Sequence, residues 1–80
     1  MIRLYFNIRD GDRLSRDPEG AEFLDVETAR AEAVRSAREL LSQRVLNGEE
    51  IDRQSFELTD ESGAVVDTVK FRDALRLHEG

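Results

Sequence analysis

The sequence predicts a small α+β domain, a four-stranded antiparallel sheet with one long amphipathic helix on one face, in the order β-β-α-β-β. Three observations predict it. Residues 2–9 alternate strictly between apolar and polar. A run of strong helix formers without Gly or Pro extends from Val26 to about Leu46. Two short strand patterns, 54–60 and 64–71, flank the turn signal Asp60-Glu61-Ser62-Gly63.

In the first strand Ile2, Leu4, Phe6 and Ile8 fall on one face and Arg3, Tyr5, Asn7 and Arg9 on the other, which is a half-buried strand. Asp10-Gly11 is a turn, because both residues tolerate positive φ. The second strand lies within 13–24. Arg13-Leu14-Ser15 and Ala21-Glu22-Phe23-Leu24 are both candidates, separated by the turn-like Asp17-Pro18-Glu19-Gly20, and the sequence does not decide which pairs with the first strand. Asp25 is a natural N-cap with Glu27 behind it at the positive end of the helix dipole. Val26, Ala29, Ala33, Ala37, Leu40 and Leu41 form the helix's apolar stripe, mostly alanine, which lets a helix approach a sheet closely. Asn47-Gly48 reads as the helix stop. In the third strand Phe56 and Leu58 share a face. In the fourth, Val65, Val69 and Phe71 do, with Asp67 among them, an arrangement that suits an edge where Asp67 reaches solvent. Ala74, Leu75 and Leu77 leave room for a short C-terminal helical turn. Phe6 and Phe56 are expected in the core against the helix. The patterns Phe6-Asn7-Ile8-Arg9-Asp10 and Phe56-Glu57-Leu58-Thr59-Asp60 echo one another, each followed by a Gly-containing turn.

Eighty residues make one domain, 1–80, with a modest core. There is no cysteine, so disulfides and thiolate metal sites are excluded. No stretch approaches the roughly 20 apolar residues of a membrane span, and the opening residues lack a signal peptide's apolar run, so the expected location is cytoplasmic. The net charge of −6 argues against general nucleic-acid binding. Its distribution is uneven: residues 17–27 hold five acids and no base, and 47–63 six acids and one Arg. Residues 1–16 and 28–46 each hold four Arg against two acids.

Tyr5-Phe6-Asn7-Ile8-Arg9-Asp10-Gly11, Asp17-Pro18-Glu19-Gly20, Ala29-Arg30-Ala31-Glu32-Ala33 and Phe56-Glu57-Leu58-Thr59-Asp60 with Gly63 resemble a family of short bacterial proteins that carry a domain of unknown function. The resemblance covers almost the whole chain. It implies a β-β-α-β-β layout and brings no activity, ligand or catalytic residue with it. Asp67 departs from that pattern, where a small or apolar residue is expected.

Sites of chemistry are sparse. His78, the only histidine, lies three residues from the end and makes a poor catalytic base. Zinc is not expected without Cys or paired His. Asp10, Asp12, Asp17 and Glu19 suggest calcium, but a loop opening at Asp10 places Leu14, Ser15 and Ala21 where a ligand, a glycine and a glutamate are needed, so a solvated acidic turn is the reading. The serines have no base to activate them, and no phosphate loop is present. No cofactor is expected and no enzymatic role. The helix shows Glu27 with Arg30, Glu32 with Arg35 and Arg35 with Glu39 at pairing distance, a solvated face or a docking surface.

The candidate interaction surface is therefore the outward row Arg3, Tyr5, Asn7 and Arg9. Basic and aromatic residues on an open sheet stack RNA bases in some domains, yet cross-strand pairing of Arg3 or Arg9 with acids such as Glu57 accounts for the same residues. The leading expectation is a small non-enzymatic interaction module, whose partner is another protein or a second copy. A nucleic-acid-associated regulator using that row comes second, and a small-ligand binder or enzyme third.

Overall fold

The computed structural model describes residues 1–46 and 53–74, with side chains throughout except 41–46. The expected Asn47-Gly48 stop, Leu75, Leu77 and His78 lie outside the described residues. The elements are β1 (Ile2–Asp10), β2 (Arg13–Ser15), β3 (Ala21–Phe23), α1 (Val26–Leu46), β4 (Gln54–Thr59) and β5 (Val65–Lys70). A helical turn over 71–74 follows β5 directly. The sheet is antiparallel in the order β2-β1-β4-β5, with β3 also paired to β1.

This is the expected α+β architecture with five strands in place of four. Both candidate segments in 13–24 pair with β1: Ser15 lies opposite Ile8 and Ala21 opposite Leu4. Between these pairs five residues of the returning chain thus pass three of β1. The two extra residues break what would be one edge strand into two three-residue pieces. Each is too short to show periodicity of its own.

The residues opposite one another define the faces. Phe6 faces Leu58, Ile8 faces Phe56, and Phe56 in turn faces Val69. These line the face that α1 covers, together with Leu4 and Phe71. Ala29, Ala33 and Ala37 are fully buried beneath the helix, as the stripe predicts, and Val34 joins them. Val26 and Leu40 pack at its margins. All four phenylalanines form one line across this layer. Phe23 stacks on Phe6 with ring centroids 5.3 Å apart, Phe6 meets Phe56 at 5.5 Å, and Phe56 meets Phe71 edge-on at 5.0 Å. Phe56 is buried, whereas Phe6 is only part-buried and packs between its two aromatic neighbours.

Local signals hold at the element ends. Asp25 caps α1, its Oδ1 accepting the Thr28 amide at 2.8 Å. Gly11 turns the β1–β2 hairpin at φ +61°, and Gly63 closes the β4–β5 turn at φ +91°. Asp60 organises that turn, its Oδ1 accepting the amides of Ser62 and Ala64 and the Ser62 hydroxyl.

In β5 one facing, that of Val65, and one contact, that of Asp67, differ from expectation. A bulge between Leu58 and Thr59 places Asp67 opposite Leu58 but Val65 opposite Thr59. The extra residue turns Val65 away from the core face and leaves it half exposed. Asp67 stays on the core face, where Arg30 of α1 reaches it at 3.0 Å. The expected Glu27–Arg30 spacing is thus overridden by a contact across 37 residues.

Phe56 joins the two halves of the aromatic line, so Phe56→Ala should cost about 3–5 kcal/mol, a large part of a small domain's stability. Urea denaturation measures it; a loss under about 1 kcal/mol would contradict this core.

Candidate interaction surface on the outward sheet face

The outward face of β1 presents Arg3, Tyr5, Asn7 and Arg9 by strand alternation alone, and the structure gives each a partner. Arg9 donates from Nε to Glu57 Oε2 at 2.9 Å, and this hydrogen bond holds its guanidinium pKa above the ordinary value. Arg3 donates to the Glu19 carbonyl at 2.7 Å. The Tyr5 ring lies over Gly20, where a Cβ would come within 2.8 Å of it and within 2.9 Å of the Leu4 carbonyl. With φ at +67°, Gly20 meets both constraints at once.

Asn7 is buried, and it is the centre of the arrangement. The gap between β2 and β3 leaves β1 backbone without a strand partner. Asp17 fills it: the Phe6 amide donates to Asp17 Oδ2 at 3.2 Å, and the Asp17 amide donates to Asn7 Oδ1 at 2.9 Å. Asp17 Oδ1 also accepts the amides of Glu19 and Gly20, an Asx turn that bends the chain back toward β3. On the other side Asn7 Nδ2 donates to Thr59 Oγ1 at 3.3 Å, and that hydroxyl donates to the Glu57 carbonyl. No buried side-chain polar atom among the described residues is left without a partner.

Two open clefts flank the Asp60–Gly63 turn. One, of about 360 Å³, lies between Tyr5, Asp17 and the turn. The other, of about 420 Å³, has Met1, Ile2 and Arg3 beside Glu22, Asp60 and Glu61. Hydrogen bonds from Ser62 first, then from the turn amides, hold the Asp60 carboxyl below the usual aspartate range. Asp25 is lowered likewise by its bonds to Thr28. No group of three or more His, Cys, Asp or Glu among the described residues is placed to hold a metal. No helix among them is long and apolar enough to cross a membrane.

The large exposed apolar side chains are not scattered. Met1 (82% exposed), Ile2 (38%), Leu24 (71%), Val65 (50%) and Val66 (42%) all belong to the end of the sheet where β1 and β5 begin and β3 and β4 finish. Sequence reasoning passed over them. Leu24 looked like the last residue of a strand, and the β5 bulge that exposes Val65 has no signature in the sequence.

The free edge of β5 is closed at its middle. Thr68 lies opposite Glu57, yet its amide donates to Asp67 Oδ1 at 2.8 Å and its carbonyl accepts Arg30 Nη1 at 3.2 Å. Both main-chain groups therefore point away from β4, and one Arg–Asp pair occupies both.

Two expectations test these contacts. Asn7→Ala strands the Asp17 amide and removes a Thr59 contact, and should cost about 1–3 kcal/mol by urea denaturation. A smaller loss would mean that the β2–β3 gap does not depend on Asn7. Asp67→Ala frees the Thr68 edge, so this variant should associate more strongly with concentration than the wild type in sedimentation velocity. Identical profiles would show that the Arg30–Asp67 pair does not guard the edge.

Nothing among curated proteins or solved structures matches the chain at a significant level. A family model does match, over residues 3–72, and by that match the chain belongs to the family described as a domain of unknown function, DUF6894.

Proposed function

We propose that the chain is a small non-enzymatic protein-interaction module that meets its partner at the end of the sheet carrying Ile2, Leu24, Val65 and Val66. The observation that supports this is the gathering of exposed large apolar side chains at one end of a fold whose other apolar residues are largely packed. Exposed apolar groups collected in one region of a small protein favour contact with another surface. Both sheet edges are poor templates for strand addition, one broken between β2 and β3, the other closed at Thr68.

The nucleic-acid reading is weakened by the same geometry. Arg3 and Arg9 are engaged by Glu19 and Glu57, and the Tyr5 ring packs against Gly20. Stacking platforms need free rings and uncommitted cations.

The test compares tagged wild type with the Leu24→Ser/Val66→Ser double variant, after equal folding is confirmed by circular dichroism. The expected outcome is one or a few proteins held by the wild type and released from the variant, with no nucleic acid retained. Equal capture by both would overturn the assignment of this end. Nucleic acid held by the wild type and lost on Arg9→Ala would favour the regulator.

A further inference from the structure

Building on the interaction reading, we propose that the segment docking on this end is basic as well as apolar, a short helical stretch of a partner protein that places a Lys or Arg side chain in the cleft between Ile2 and the Asp60–Gly63 turn. The cleft pairs an apolar wall with carboxylates. Ile2 and Met1 supply the wall, and Glu22, Asp60 and Glu61 set three carboxylates against the Arg3 guanidinium and the Met1 ammonium. Arg3 donates to the Glu19 carbonyl and lies across the strand pair from Glu22. Among the described residues none of the ion pairs uses Glu22, Asp60 or Glu61, and the three carboxylates leave the cleft with an excess of negative charge although Asp60 is held by its turn donors. Lys and Arg match such a site because their aliphatic stems lie along apolar surface while the charged head reaches the acids.

The surroundings carry the same sign. Residues 17–27, which lead through β3 into α1, hold five acids and no base, and two more acids lie in the turn at 60 and 61. An acidic apolar surface selects cationic partners and repels nucleic acid and anionic membranes alike. The dimensions also suit a short helix. From β3 across β1 and β4 to β5 is three inter-strand steps, roughly 14 Å at the usual spacing. A helical segment of about ten residues spans that width. The closed edges leave side chains rather than main-chain groups to make the contact, which favours a helix over an added strand.

The probe is a 12-residue helical peptide, about the length that spans the sheet's end, with Leu on one face and Lys flanking it, and a counterpart with Glu for Lys. Each is titrated into ¹⁵N-labelled full-length protein. We expect amide shifts confined to Ile2, Arg3, Glu22, Leu24, Glu61, Val65 and Val66 for the Lys peptide and none for the Glu peptide. Affinity should fall at least tenfold in the Glu22→Gln/Glu61→Gln variant and also in Leu24→Ser. Glu39→Lys, which changes net charge by the same two units on α1, should leave it within twofold. An equal loss in Glu39→Lys would reduce the effect to bulk charge and overturn the proposal. Binding of both peptides at this end would remove the basic specificity but keep the interaction reading. Shifts elsewhere, or none with either peptide, would overturn both. A wild-type dimer dispersed by Leu24→Ser would make a second copy the occupant and overturn the basic segment.

Discussion

The architecture depends on one reciprocal contact, the two hydrogen bonds by which Asp17 docks on β1, accepting the Phe6 amide and donating its own amide to Asn7. β1 is the strand to which β2, β3 and β4 all pair, and its flank toward β2 and β3 is interrupted. A buried strand backbone cannot be left unpaired, because each orphaned group carries its full desolvation cost. Asp17 supplies the missing acceptor for Phe6 and returns its own amide to Asn7. Once Asp17 is fixed, Glu19 and Gly20 follow through the Asx turn, and Gly20 brings the backbone under Tyr5. Asn7 Nδ2 carries the connection across to Thr59, so one amide side chain ties the edge, the centre and the β4 side of the sheet together.

The opposite face is governed by size. Ala29, Ala33 and Ala37 leave no side chain longer than a methyl between the α1 axis and the sheet along that stripe. The space is filled from the sheet side, by Leu4, Leu58, Val69 and the phenylalanine line. Aromatic pairs add about 0.5–1.5 kcal/mol each beyond burial, which matters in a core this small. Close approach has a second effect. It brings Arg30 within reach of Asp67 and of the Thr68 carbonyl, and brings Arg38 Nε to the Ala74 carbonyl at the end of the short helical turn. The alanine stripe thereby sets which helix arginines become structural.

Much of this was legible in the sequence because it is local. The alternation of β1, the Asp25 cap, the alanine stripe, the pairing of Phe56 with Leu58 on one face and the Asp60 turn are each specified within a few residues. The echo between the strands also has a structural counterpart. Phe6 opposes Leu58 and Ile8 opposes Phe56, so the two similar patterns meet head to tail at the centre of the sheet. What was not legible depends on distant partners. Asn7 alternates with Arg3, Tyr5 and Arg9 and reads as an outward polar residue. Only the return of Asp17 ten residues later and Thr59 fifty-two residues later buries it. Glu57 was foreseen as a partner for Arg9, whereas Asp67 was read as facing solvent because nothing in its neighbourhood points to Arg30.

These constraints also decide where the surface remains available. An antiparallel sheet with a helix on one side ordinarily offers two edges and one open face to a partner. Here the β2–β3 edge is broken by Asp17 to Gly20, and the β5 edge is occupied at Thr68 by Arg30 and Asp67. The open face is crossed by the Arg9–Glu57 pair and partly covered where Tyr5 meets Gly20. Each device satisfies groups that would otherwise recruit another chain. The end of the sheet beside Glu22 and Glu61 differs in kind. Its apolar side chains stand exposed next to carboxylates without ion-pair partners among the described residues, and the bulge that turns Val65 outward adds to them. In a fold that closes its edges and ties down its outward row, that combination is the ground for the proposed contact, which would remove apolar area from water and pair negative charge together.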